Sequence, residues 1–445
     1  MIRTWAVLCL LAAPAAAAAP DRHVLPAELV DAPCVVLYPQ TGTATVYLAG
    51  GPQTGKIGVV LAGDSVKAAQ QMSPTDVAAR TNATVDGTCA VVDITGKTVT
   101  PGLIDVGTQL GLVEVSLEEA TRNADDRGPP TGANLRVSDG YDPASTLIPV
   151  ARIEGVTSAV INPSGGRLAG LAAFVDLAGS TQADAVVDET VAMVASIGGP
   201  SRAGALRDLR ALLEDARLYA RNRAAFERRA TRDYAADHRD LEALQPVVRG
   251  EIPLVIGADR ASDIEALLRL ATEQRVALVI RGGAEAWRHA AALAEADVSV
   301  IVDPMVYGPG GFAQRAGRPD NAALLHEAGV PVILSTFSSH NARLLRQQAG
   351  NAVRGGLDHD AAIEAITATP ARVFGQPKRG TLNPGQIANV VLWDGDPLEL
   401  STSVAGVWIG GRATALDSRQ WRLFLSYETL PGTPVPALSL PADDN

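Results

Sequence analysis

The residues best placed to do chemistry follow short apolar runs that read as strands. Gln109 and Glu114 follow the first such run of the central region, and Asn162, Ser164 and Arg167 follow the second. Asp259 and Arg260 come after Pro253–Ala258, Arg281 closes Ala277–Arg281, Asp303 closes Val298–Asp303, and Thr336, Ser338 and His340 follow the last run. Arg167 and Arg281 suit bidentate capture of a carboxylate. The Ser164-Gly165-Gly166-Arg167 turn suits presentation of backbone N–H groups to an anion. Asp303, with His340 as its candidate partner, has the residue types of a general acid–base pair, and Glu114 and Asp259 are the other carboxylates near His340. No Gly-x-Ser-x-Gly motif for a serine nucleophile occurs. His238, His289 and His326 lie in helical patterns, and no two histidines have metal-ligand spacing on a strand or helix.

These residues depend on the elements between them. Candidate strands are Leu103–Val106, Thr157–Ile161, Ala173–Leu177, Val191–Ser196, Pro253–Ala258, Ala277–Arg281, Val298–Asp303 and Val330–Thr336. The amphipathic stretches include Ala203–Arg229, Ser262–Glu273, Ala284–Ala296, Asn321–Ala328 and Asn341–Gly355. Apolar runs bounded by helices are the pattern of a buried parallel sheet. Repeated over residues 101–375, they predict a (β/α)8 TIM-like barrel. Residues 20–100 are rich in Val, Thr and Gly. They predict the strands Cys34–Tyr38, Thr43–Leu48, Lys56–Ala62 and Ala90–Asp93. Strand character returns in Asn389–Trp393 and Val404–Ile409. Residues 20–100 and 376–430 are therefore expected to make one composite β-sandwich domain, with 431–445 an irregular tail.

Residues 1–19 have the form of a secretory signal peptide: Arg3, an apolar run from Trp5, and Ala17-Ala18-Ala19 before Pro20. The run is too short for a span of about 20 residues. An exported protein without membrane insertion is expected, periplasmic if the host is Gram-negative. The mature chain keeps Cys34 and Cys89. An even count in an oxidising compartment allows a disulfide, and two buried free thiols are the other reading. The formal net charge of −11 offers no electrostatic reason to bind nucleic acid or anionic lipid.

Two stretches at opposite ends carry a family signal. One is Gly96-Lys97-Thr98-Val99-Thr100-Pro101-Gly102-Leu103-Ile104-Asp105. The other runs from Gly380-Thr381-Leu382-Asn383-Pro384-Gly385-Gln386 through Ile387-Ala388-Asn389-Val390-Val391-Leu392-Trp393 to Asp394-Gly395-Asp396-Pro397-Leu398. With Ile366-Thr367-Ala368-Thr369-Pro370-Ala371-Arg372, they resemble the amidohydrolase superfamily, in particular its imidazolonepropionase-like branch. The resemblance implies a barrel beside a small β-sandwich built from both termini. It also implies a His-x-His pair two residues after the Pro-Gly-Leu-Ile-Asp run, further histidines at later strand ends, and an aspartate at the last. Those places hold Gly107 and Gln109, Gly257, Arg281-Gly282-Gly283, and Phe337. Glycine offers no ligand and a glutamine amide binds zinc weakly.

The expected protein is thus a degenerate, metal-ligand-deficient member that binds a small ligand or a catalytic paralogue, as a homo- or hetero-oligomer and with no cofactor. Zinc or another divalent metal enters only if the ligand positions are misplaced. The alternatives are an active hydrolase of cyclic amides or other non-peptide C–N bonds with an atypical site, and a purely structural envelope protein.

Overall fold

The computed structural model describes residues 29, 32–82, 89–125, 132–228, 230, 232–308 and 310–428. The signal-peptide segment, His23 and the tail 431–445 lie outside the described residues. The first strands are β1 Cys34–Tyr38, β2 Ala44–Leu48, β3 Gly51–Gly55, β4 Ile57–Ala62, β5 Ser65–Gln71, β6 Ala90–Asp93 and β7 Thr98–Pro101. The central strands are β8 Leu103–Thr108, β9 Val156–Ile161, β10 Leu168–Asp176, β11 Val186–Ser196, β12 Leu254–Ala258, β13 Leu278–Gly282, β14 Ser299–Val302 and β15 Val332–Leu334. The chain closes with β16 Val390–Trp393, β17 Val404–Ile409 and β18 Arg412–Thr414.

β8 to β15 form one eight-stranded sheet in sequence order, curled into a nearly closed barrel. The interior is apolar, with Ile104, Val106, Val160, Phe174, Val255, Val279, Ile301 and Ile333 in one buried cluster. β8 and β9 are buried along their whole length, as strands covered on both faces must be. Between β8 and β15, Ile104 N donates to Ile366 O (2.8 Å) and Leu334 N to Ala365 O (3.1 Å). Gly102, in the Pro-Gly-Leu-Ile-Asp run, is needed for close approach: a Cβ there would lie 2.0 Å from Thr157 Oγ1.

One expectation is corrected. The third barrel strand is not part of a parallel βα unit. β10 pairs antiparallel with both β9 and β11, and it is longer than Ala173–Leu177. Only residues 162–167 join β9 to β10, far fewer than the roughly dozen a parallel crossover needs. Their Asn-Pro-Ser-Gly-Gly sequence, with Gly165 at φ 94° and Gly166 at φ 62°, reverses the chain instead. The reversal keeps Arg167 at the barrel mouth, where the parallel strands end.

The remaining sheets are β5-β4-β1-β6 and β18-β17-β16-β7-β2-β3. The second mixes both ends of the chain, because β7 pairs with β16. Parallel pairing of Val35 with Ala90 puts Cys34 and Cys89 one step back in register, with Cα atoms 4.6 Å apart and a disulfide between them. A polar cluster ties these sheets to the barrel. Asp176 accepts from Ser158 Oγ (2.7 Å), Asn389 Nδ2 (3.1 Å) and Arg379 Nη2 (2.7 Å).

Candidate functional site

The sequence that ends each parallel strand decides what enters the barrel mouth. β8 ends at Gly107-Thr108, with Gly107 at φ 74°. β13 carries Arg281 near its end, and the segment after β15 holds Phe337 at φ 50°. A positive φ is rare for a large side chain and persists only where the surroundings enforce it. Here the Arg281 guanidinium sits 4.2 Å from the centre of the Phe337 ring. A Cβ on Gly107 would lie 3.3 Å from both Arg281 Nε and Phe337 Cδ1. One glycine, one arginine and one phenylalanine therefore interlock at the centre of the mouth. A desolvated cation–π contact of this kind contributes about 2 kcal/mol.

Arg281 is half-buried, and no acceptor among the described residues takes a hydrogen bond from it. Burial pushes its pKa below the ordinary guanidinium value, while the carboxylates of Asp259 and Asp105 work in the opposite direction. Asp105 is fully buried. Desolvation raises its pKa to about 6, against hydrogen bonds from Ser335 Oγ (3.0 Å) and Thr336 Oγ1 (3.0 Å).

Two cavities open beside Arg281, and both are lined by Gly198, Gly257 and Arg281. The larger, 820 Å³, is bounded by Pro163–Arg167, the end of β11, and Asp208, Ala211 and Leu212 of the helix Arg202–Glu227. The smaller, 330 Å³, is bounded by Asp259, Asp303, Gln314 and Phe337.

The expected site residues divide accordingly. Arg167 and Arg281 line the larger cavity, and Asp259, Arg281 and Asp303 line the smaller. Arg167 is already engaged: its Nη1 donates to Ser196 O and to Gly198 O (3.1 Å), leaving Nε buried without a partner. Asp259 accepts from Ala284 N (3.2 Å) and Gln314 Nε2 (2.9 Å). Asp303 accepts from Met305 N (2.9 Å), and burial raises its pKa.

Gln109, Glu114, Asn162, Thr336, Ser338 and His340 line neither cavity. Glu114 caps the turn at Ser145 and Thr146. Its burial penalty is outweighed by their hydrogen bonds and by nearby His340, so its pKa is lowered. Asn162 donates its N–H to Thr108 O (2.9 Å), and its Oδ1 is buried without a partner. Gln109 is half-buried, with its carbonyl accepting from Leu112 and Val113. Thr336 binds Asp105, and Ser338 Oγ accepts from Asn341 N (3.2 Å). His340 is exposed, and no hydrogen bond or ion pair joins it to Asp303 among the described residues.

The helix-borne wall and Gln314 were not among the expected residues. They come from a helix face and a connecting segment, where spacing carries no sign of a cavity.

The model for the amidohydrolase family matches residues 215–415. The chain is 25% identical over 375 residues to Amidohydrolase tasK of Hapsidospora irregularis, covering 73% of this chain but only 37% of that protein. A crystal structure of an amidohydrolase from Thermotoga maritima MSB8 superposes with a TM-score of 0.74 at 22% identity, covering 85% of this chain and 99% of the other. The β-aspartyl dipeptidase of Fervidobacterium islandicum AW-1 gives 0.54 at 13% identity, covering 87% and 98%. Residues 215–415 thus match the amidohydrolase family, and the chain shares the fold of an amidohydrolase of known structure.

The family match raises the question of a metal, and the residues present do not fit one. Gly107, Gly257 and Phe337 bring no ligand atom, Gln109 lines neither cavity, and the guanidinium of Arg281 takes up the space beside Gly107. Among the described residues no group of three or more His, Cys, Asp or Glu could hold a metal ion. A fixed cation at the mouth would also repel a divalent one.

Proposed function

We propose that this amidohydrolase-superfamily barrel binds a small ligand at its mouth and does not hydrolyse it with a divalent metal. The observation that carries the reading is the interlock of Arg281, Phe337 and Gly107. It puts an organic cation where the resemblance implies an inorganic one. The frame of the fold is kept while the chemistry of the site has changed. The chain spans a little over a third of the curated relative it matches, and a catalytic paralogue is the candidate partner.

Export, to the periplasm in a Gram-negative host, fits the Cys34–Cys89 disulfide, which persists in oxidising compartments. Among the described residues no helix is long and apolar enough to cross a membrane. A second reading, a hydrolase of cyclic amides or other non-peptide C–N bonds, draws on Asp303. Its carboxyl is raised by burial on a cavity wall, as a general acid–base group requires.

Melting with and without a chelator tests the main reading. The melting temperature of the mature protein is expected to be unchanged by chelator and by added zinc. A rise on adding zinc, reversed by chelator, would contradict it.

A further inference from the structure

We propose that the 820 Å³ cavity is a seat for a small organic monocarboxylate, its carboxylate on Arg281 and its apolar body against the helix-borne wall. The inference rests on the preceding reading that the mouth binds a ligand, and it names the ligand class.

A guanidinium removed from bulk water carries a desolvation cost that an acceptor normally offsets. Two other arginines at the mouth have one. Arg202 pairs with Asp263 (2.7 Å), and Arg167 is held by Ser196 O and Gly198 O. Among the described residues, the Arg281 side chain has only the face of Phe337. The ring covers the guanidinium carbon at 4.2 Å, and a planar carboxylate is the acceptor that the N–H fork of an arginine takes bidentately.

The two carboxylates that bias it, Asp259 and Asp105, are already committed. Asp259 is held by Ala284 N and Gln314, and Asp105 by Ser335 and Thr336. Neither makes an ion pair with Arg281 within the described residues.

The larger cavity supplies the rest of the specificity. Its charged lining is Arg167, Arg281 and Asp208. Asp208 is already paired, with Arg207 Nη2 at 2.8 Å and Arg167 Nη2 at 3.9 Å. Ala169, Val194, Ala211, Leu212, Ala235 and Val255 give an apolar surface of small side chains. Gly257 adds no side chain, since a Cβ there would meet only Arg281 O at 4.0 Å. The smaller cavity is a poorer anion seat, because Asp259, Asp263 and Asp303 all line it.

The test is calorimetric titration of the full mature chain with phenylacetate and 4-methylpentanoate, each beside its primary amide, and with sulfate. The carboxylates are expected to bind at least about tenfold more tightly than the matched amides. Arg281→Gln is expected to remove that preference, and Arg281→Lys to weaken carboxylate binding about tenfold through loss of the fork.

Equal binding of acid and amide, no carboxylate binding up to about 10 mM, or sulfate binding as tightly as the better carboxylate would each overturn the proposal. The amide comparison uses the unaltered chain, so poor folding of a variant cannot decide it. Failure here with unchanged melting under chelator leaves the metal-free reading in place. Stabilisation by zinc overturns that reading itself.

Discussion

The foot and the mouth of the barrel follow different rules. At the foot, Asp176 is buried yet fully provided for by Ser158, Asn389 and Arg379, which join the barrel to a sheet built from both chain ends. At the mouth, among the described residues, the half-buried Arg281 guanidinium has no acceptor, Asn162 keeps an unpartnered Oδ1, and Phe337 holds a left-handed backbone. A satisfied network stabilises a fold. An unsatisfied one calls for an explanation, and at the mouth the proposed ligand supplies it.

Breaking the foot should have the largest effect. Asp176→Ala leaves Arg379 and Asn389 without their carboxylate. It is expected to cost about 3–5 kcal/mol in denaturant unfolding. Cys34→Ser is expected to cost about 2–4 kcal/mol, because the disulfide closes a long loop between β1 and β6.

The mouth can then be divided within itself. Gly107→His must place a side chain at positive φ against Arg281 and Phe337, and is expected to cost about 2 kcal/mol. Gly257→His faces open space and is expected to stay within about 0.5 kcal/mol of the parent. If both histidines cost the same, the interlock is not what shapes the mouth.

A further effect concerns acidity. The pKa of Asp105 is raised from 3.8 to about 6 on folding, so the folded state holds a proton that the unfolded state has released. Its contribution to stability therefore falls as pH rises between those two values and is flat above them. Unfolding free energies of the parent and Asp105→Asn, measured from pH 4 to pH 7, are expected to differ in slope below about pH 6 and run parallel above it.

Much of the foot was legible in the sequence. Cys34–Tyr38, Ala90–Asp93 and Val404–Ile409 fall where apolar alternation and turn residues place them. The resemblance implied a sheet built from both chain ends, and β7 pairs directly with β16. The antiparallel third strand was not legible as such. An apolar run reads the same in either direction, and only the short Asn162–Arg167 link reveals the reversal.

At the mouth, the positions without ligands could be read from Gly107, Gly257 and Phe337. What replaced the ligands could not. Arg281 over Phe337 brings together strand ends far apart in sequence. The separation of His340 from Asp303 likewise depends on where a short turn points. The order of the strands does not determine it.

The most direct measurement is the metal content of the purified mature protein by elemental mass spectrometry, after exposure to zinc, manganese and iron. Less than about 0.1 metal per chain is expected, because among the described residues the mouth offers a guanidinium and no ligand set. A stoichiometric metal would contradict the central claim and restore metal-dependent hydrolysis as the leading function.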